Sequence, residues 1–142
     1  MALVGGGGAG NVAGSNPTGT GTILNYIGDH CFAFSGFLAT SNNEVTHLEF
    51  DTGLQYIVSE ITCVGSVKQA DIPDGDHSVF ILYMNDEAVG MWKVSTIAEG
   101  MPTVLTVPTL IPPYTKVKIT CDSYNPGADY FTQVQLVGRV YA

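Results

Sequence analysis

The sequence predicts an all-β fold in which two antiparallel sheets pack face to face as a sandwich. From about residue 23 onward, helical periodicity is nearly absent. Short apolar stretches rich in Val, Ile, Thr, Tyr and Phe alternate there with clusters of Gly, Pro, Asn and Asp, which is typical of strands joined by turns. In residues 116–121, Val117, Ile119 and Cys121 are separated by polar residues. Such a strand buries one face and exposes the other, so a second layer must cover the buried side.

Eight strands are expected, each ending where residues that favour turns begin. They lie near residues 30–39, 45–50, 55–65, 77–84, 88–95, 102–107, 115–122 and 131–141. The dipeptide Asn85-Asp86 between two apolar stretches predicts a tight β-hairpin. Only residues 94–100 are expected to contain any helical turn.

One predicted strand departs from simple alternation, because residues 79–84 are apolar on both faces. Either the chain covers this strand on both sides, or its outer face contacts other copies of the chain. The second interpretation makes Phe80, Leu82 and Met84 the candidate residues of an oligomer interface. The aromatic residues within 32–37 add to the apolar surface that a small core need not absorb, and large exposed apolar patches usually mark association sites.

The chain divides into a Gly-rich arm, residues 1–22, and a single β-sandwich domain, residues 23–142. Ordering a glycine-rich segment costs much backbone entropy, and few apolar side chains are available here to offset that cost. As an isolated segment, residues 1–22 are therefore expected to be flexible. They form either a linker or an arm that orders against a partner, with Ala2, Leu3 and Val4 as its apolar contacts.

Charge and composition exclude several classes of partner. The 142 residues include 5 Lys and Arg against 13 Asp and Glu, a net charge of −8. Nucleic-acid binding needs a basic surface that neutralises phosphates, and anionic membranes also attract basic segments, so neither partner is expected. No apolar run reaches the ~20 residues that span a bilayer. Only 13% of residues are charged, which suggests that part of the surface meets other protein.

Residues that carry catalytic or metal-binding chemistry are scattered along the chain. The three histidines and three cysteines show no metal-ligand spacing and no CxxC pair: His30, His47, His77, Cys31, Cys63 and Cys121. We expect the cysteines to be buried and unreactive, with one disulfide and a leftover thiol as the alternative. The loop with Asp71, Asp74 and Asp76 is either a solvated turn or a Ca²⁺ site built from oxygen ligands. The sequence thus predicts no enzyme and no cofactor, and no metal site unless this loop binds Ca²⁺.

Four segments, in this order, carry a resemblance to a known family: residues 28–36 (GDHCFAFSG), 48–53 (LEFDTG), 111–119 (IPPYTKVKI) and 138–141 (GRVY). Together they resemble the small jelly-roll virion proteins of tailed bacteriophages, the decoration or cement proteins on the outside of the capsid. The resemblance implies a jelly roll without catalytic residues, usually a homotrimer on local threefold positions. It also implies the major capsid protein as partner and a place on the capsid exterior after synthesis in the host cytoplasm.

The sequence therefore predicts a structural virion protein that binds the phage head and stabilises contacts between capsomers. Docking is expected to use the arm residues Ala2, Leu3 and Val4 and one end of the sandwich. A net charge of −8 repels packaged genome, which favours an outer position. The alternative is a receptor- or glycan-binding tip module of a phage fibre or spike. In that case the ligand would lie among loops near Trp92, Tyr124 and Tyr130.

Overall fold

Every regular element in the described part of the chain is a β-strand. A computed structural model describes residues 24–67, 77–95, 104–123 and 131–141. The strands are β1 (Asn25–Ile27), β2 (His30–Phe34), β3 (Leu38–Ala39), β4 (Val45–Asp51), β5 (Tyr56–Val67), β6 (His77–Met84), β7 (Glu87–Ser95), β8 (Val104–Ile111), β9 (Lys116–Ser123) and β10 (Phe131–Tyr141). The predicted all-β class is confirmed for these residues.

The strands form two antiparallel sheets. One sheet has six strands in the order β1-β2-β10-β5-β8, and β3 also pairs with β10. The other has four strands in the order β4-β9-β6-β7. In each sheet, strands that are far apart in sequence lie side by side, such as β2 with β10 and β4 with β9. Most of the strand pairings are therefore long-range. The predicted two-sheet sandwich is confirmed at this level.

The hydrophobic core lies between the two sheets and draws on both of them. The largest fully buried apolar side chains are Phe80, Leu48, Ile57, Ile61, Ile111, Ile119, Leu136, Val117 and Val134. Each fully buried side chain of this size stabilises the fold by roughly 1.5–3 kcal/mol relative to exposure. Alternation puts these residues on the inward face of their strands, because successive side chains point to opposite sides of a sheet.

Gly138 allows β10 to lie close against its neighbour β5 on the inner side of the six-stranded sheet. A Cβ atom at this position would be 2.7 Å from the Val58 carbonyl oxygen and 2.9 Å from the Ser59 Cβ atom. Real Cβ atoms do not approach other atoms so closely, so a larger side chain would have to push the two strands apart. The glycine is thus required by packing in the middle of a sheet, where glycine is otherwise unfavourable.

The structure differs from the predicted strands mainly at their ends. The first predicted strand is two strands, β2 and β3, separated by residues 35–37, and β1 was not predicted because it has only three residues. Strand β8 runs to Ile111 through Pro108, beyond the predicted end at residue 107. Proline is tolerated there because β8 is an edge strand, where one side needs no ladder hydrogen bond. The predicted arm, residues 1–22, and most of 94–100 lie outside the described residues.

The predicted hairpin joins β6 and β7. Asn85 and Asp86 have φ angles of 51° and 67°, the left-handed values that a type I′ turn needs at both central positions. The Asn85 N–H donates to the Lys116 carbonyl oxygen at 2.9 Å, and its Oδ1 atom accepts from the Lys116 N–H at 2.9 Å. The turn is therefore fastened to β9 as well as to its own two strands.

Replacing Asp86 with glycine is expected to raise the free energy of unfolding by about 0.5 kcal/mol, because glycine adopts the left-handed conformation without steric cost. The matched control is Asp86→Ala. It also removes the exposed contact between Asp86 and Lys116 (3.7 Å) but keeps a Cβ atom, so stability is expected to fall. Urea unfolding of both variants measures the difference, and a stabilised alanine variant would contradict this account of the turn.

Candidate interaction surface

The outer face of the six-stranded sheet carries most of the large apolar side chains that are exposed in the described residues. We call this surface the apolar face. Its exposed members come from β1, β2, β5, β8 and β10 and are Ile27, Phe34, Tyr56, Val58, Val104, Leu110, Phe131, Val137 and Tyr141. The strands of the four-stranded sheet contribute only Val89 and Met91 to the same class. Exposed apolar surface is thus concentrated on one side of the sandwich.

Strand register places these side chains side by side. Val58 of β5 lies between Arg139 of β10 and Leu110 of β8 in the ladder. Val137 of β10 lies between Phe32 of β2 and Glu60 of β5. Directly opposed residues have Cβ atoms about 4.5–5.5 Å apart, so Val58 and Leu110 are in contact across β5 and β8. A polar row of Gln135, Thr62 and Thr106 crosses the same face and separates these residues from Val104 and Phe131.

The solvent-facing positions of these strands carry apolar side chains. Leu110 is 61% exposed and Val137 is 48% exposed, at positions where a solvated strand would carry polar residues. Water in contact with apolar surface costs roughly 25 cal/mol per Å². Patches larger than a few hundred Å² usually mark association sites, so this surface is the best candidate for a functional one.

One end of the apolar face holds a network of charged and aromatic side chains. The Asp29 carboxylate accepts a hydrogen bond from Arg139 Nη2, and its Oδ1 atom lies 2.9 Å from His30 Nδ1. The Arg139 guanidinium carbon lies 6.0 Å from the Tyr141 ring centroid, and Tyr141 stacks on Tyr56 at 5.4 Å. The hydrogen bond from Arg139 is the main reason that the pKa of Asp29 is below its ordinary value.

This network fastens the turn between β1 and β2 onto β10. The Val140 N–H also donates to the Asp29 carbonyl oxygen at 2.9 Å. The charges of Asp29 and Arg139 therefore already have partners within the chain. Near β3, Phe37 is 66% exposed and meets Phe34 edge to face at 6.5 Å.

The outer face of the four-stranded sheet is polar by comparison. Lys116 Nζ lies 3.6 Å from a Glu49 carboxylate oxygen. The Tyr83 hydroxyl donates to Glu44 at 2.6 Å, and this hydrogen bond is the main reason that the pKa of Tyr83 is raised. Lys118 Nζ lies 5.6 Å from the Tyr83 ring centroid. Exposed pairs of this kind add little stability, and they mark a face that is adapted to water.

The candidate interface residues on β6 require a correction. Phe80 and Leu82 are 0% and 3% exposed in the inter-sheet core, and Met84 packs against that core. The chain itself thus covers the residues that were assigned to an oligomer interface. The other face of β6 carries Val79 and Ile81, which are half-buried. An apolar run on both faces of a strand does not reveal which face points inward.

The cysteines and His47 belong to the structural interior. Cys31, Cys63 and Cys121 are buried free thiols, and burial raises their pKa to about 12, about 12 and about 11. They are protonated at neutral pH and are poor nucleophiles. His47 is 1% exposed at a β-bulge and bridges the two sheets through a 2.8 Å hydrogen bond to Thr132. Strand alternation offered no signal for this bridge.

Several predicted site residues lie outside the described part of the chain. These are Ala2, Leu3 and Val4 of the arm, Asp71, Asp74 and Asp76 of the acidic loop, and Tyr124 and Tyr130 of the glycan-binding alternative. Trp92 is described, and it is partly buried against the core with its ring over Gly90. A ring held in this way has less free surface for stacking on a sugar.

Within the described ranges, no three His, Cys, Asp or Glu side chains cluster closely enough to hold a metal ion. Over the same ranges, no helix has the length and apolar character needed to cross a membrane. No protein-family model matches the chain, and its sequence matches no curated protein.

Proposed function

We propose that this chain is a structural virion protein, a decoration (cement) protein that binds the outside of a tailed-phage capsid and stabilises contacts between capsomers. The observation that carries the proposal is the apolar face, an exposed patch supplied by five strands of one sheet. A rigid sandwich with one apolar and one solvated outer face is suited to assembly with other protein. The proposal assigns the chain no catalytic activity and no cofactor.

The proposal includes a jelly-roll topology. Without the short strands β1 and β3, eight strands remain, and they divide equally between the sheets. One sheet has the order first, eighth, third, sixth (β2-β10-β5-β8), and the other has second, seventh, fourth, fifth (β4-β9-β6-β7). Eight strands wound as two Greek keys characterise jelly rolls, which are common in viral capsid proteins. The strand order therefore supports the proposed class.

The proposed partners are the major capsid protein and further copies of this chain, as a homotrimer on the capsid exterior. Net charge −8 favours a position away from the packaged genome. Several weak contacts presented by one oligomer give high avidity for a repetitive shell. The Gly-rich arm is proposed to contribute one of these contacts through Ala2, Leu3 and Val4. A glycan-binding tip module is the weaker candidate, because Trp92 packs against its own core.

Deleting residues 2–22 is expected to leave thermal unfolding unchanged and to reduce occupancy on phage heads at least about tenfold. Burying a Leu or Val side chain is worth roughly 1.5–3 kcal/mol, and about 1.4 kcal/mol is tenfold in affinity. Occupancy is measured by co-sedimentation with heads that lack the protein. The matched control is the double variant Leu3→Ser and Val4→Ser, which keeps the arm's length.

These experiments test the role of the arm independently of the proposed function. Lost occupancy in both variants supports docking through the apolar residues of the arm. Unchanged occupancy in both removes the arm from the mechanism. Wild-type protein that does not co-sediment with heads of the phage that encodes it would overturn the proposed function.

A further inference from the structure

We propose that the apolar face is the surface through which this chain binds a second copy of itself. The inference rests on the proposed function as an assembly protein and deepens it by naming the partner of one surface. It moves the self-contact from β6, where Phe80 and Leu82 are buried in the core, to the outer face of β10, β5 and β8. The nine exposed apolar side chains defined above supply the contact.

The size of the face matches a stable protein interface. Five strands about 4.8 Å apart, with six outward residues on β10 and four on β8, project to about 600 Å². Side chains that stand on the sheet expose more area than this projection. Stable interfaces bury about 800 Å² on each partner, so one copy of this face is on the scale that a second copy would need to cover.

The charges on the face favour a second copy over a basic partner. Arg139 is already paired with Asp29, and Glu60 is the remaining carboxylate in the middle of the patch, beside Val137. No ion pair among the described residues includes Glu60, so the face carries one unpaired charge. The face is thus close to neutral although the chain carries −8, so the faces of neighbouring copies in the proposed homotrimer can meet around its axis without concentrating like charge.

The polar outer face of the four-stranded sheet remains free in such an assembly. Its lysines and carboxylates are already arranged in exposed pairs, including Lys116 with Glu49. Covering that face would remove charged groups from water, which costs more than covering valine, leucine and phenylalanine. The contrast between the two outer faces is what assigns the self-contact to the apolar one.

The test compares Val137→Lys on the apolar face with Met91→Lys on the other sheet. Both residues are exposed, at 48% and 65%, and both substitutions move the net charge by one unit toward zero. A change in the overall charge repulsion between copies therefore cannot explain a difference in oligomer mass between the two variants. Oligomer mass is measured by size-exclusion chromatography with light scattering over a series of concentrations, and circular dichroism melts verify folding. Leu110→Lys, at the β8 edge of the same face, is a second variant should Val137→Lys fail to fold.

Wild-type protein and Met91→Lys are expected to be oligomers with the same dissociation constant. Leu110→Lys is expected to raise that constant by about 100-fold, because its ladder partner is Val58 and an unpaired ammonium group would be placed in the contact. Val137→Lys is expected to raise it less, because Glu60 lies opposite and can pair with the new ammonium group. A monomeric wild type, or an oligomer equally insensitive to both apolar-face variants, would overturn the inference. If the wild type is a monomer and the Val137→Lys variant loses capsid binding, the apolar face is assigned to contact with the capsid protein. That result overturns the self-contact but leaves the proposed function standing.

Discussion

Replacing Phe80 with alanine is expected to lower the free energy of unfolding by about 3–5 kcal/mol. Phe80 is the largest fully buried side chain in the described residues. Its ring meets His47 edge to face with centroids 6.0 Å apart, and its ladder partners are Cys121 and Trp92. Removing the ring leaves a cavity that these strands cannot close without breaking their pairing. The loss is large against a total stability of about 5–15 kcal/mol.

The matched control for this substitution is Ile81→Ala on the next residue of β6. Ile81 points to the opposite side of the sheet and is half-buried, so its loss is expected to cost at most about 1.5 kcal/mol. Urea unfolding of both variants provides the comparison. Equal destabilisation would contradict the assignment of Phe80 to the inner face and of Ile81 to the outer face, which is the correction the structure makes to the sequence-based interface.

Acidification below about pH 6.5 is expected to destabilise the fold through His47. Nδ1 lies 2.9 Å from the Val45 carbonyl oxygen, which can only accept, so Nδ1 carries the proton and donates. Nε2 then accepts from the Thr132 hydroxyl at 2.8 Å. Burial lowers the pKa of His47, and this effect outweighs the hydrogen bond to the Val45 carbonyl oxygen, which raises it. The neutral ring therefore suits its site.

The sign of the pH effect follows from linkage. Because the pKa is lower in the folded state, the unfolded chain binds the proton first as pH falls through about 6.5. Stability is therefore highest above that pH. It declines as pH falls toward the folded-state pKa, by at most about 1.4 kcal/mol for each pH unit. The Asp29 carboxyl, whose pKa is held below its ordinary value by the hydrogen bond from Arg139, adds its own loss of stability only in more acidic solution.

Urea unfolding between about pH 7.5 and about pH 5 measures the His47 contribution. The control is His47→Gln, because a glutamine amide can donate to Val45 and accept from Thr132 but does not titrate. Subtracting the variant's profile removes the contributions of every other group that titrates in this range. Parallel profiles for the wild type and the variant would show that His47 does not respond to pH in this way.

Local sequence patterns were sufficient for most strands and for the hairpin at Asn85 and Asp86. Both signals act within a few residues, since alternation follows from strand geometry and the turn requires residues that tolerate positive φ. The same rules failed at β1, whose three residues are too few to show a period. They also failed at His47, because the β-bulge between Thr46 and Leu48 interrupts alternation.

The sequence alone established the strand-rich class and the acidic charge, and it predicted an excess of apolar side chains over what one small core requires. The location of that excess depended on tertiary structure. Val58, Leu110 and Val137 lie on three strands far apart in sequence and become neighbours only through β5, β8 and β10. The inward face of β6 was likewise decided only when the sheets packed, because either side of an apolar strand can be buried and only the opposing layer selects one.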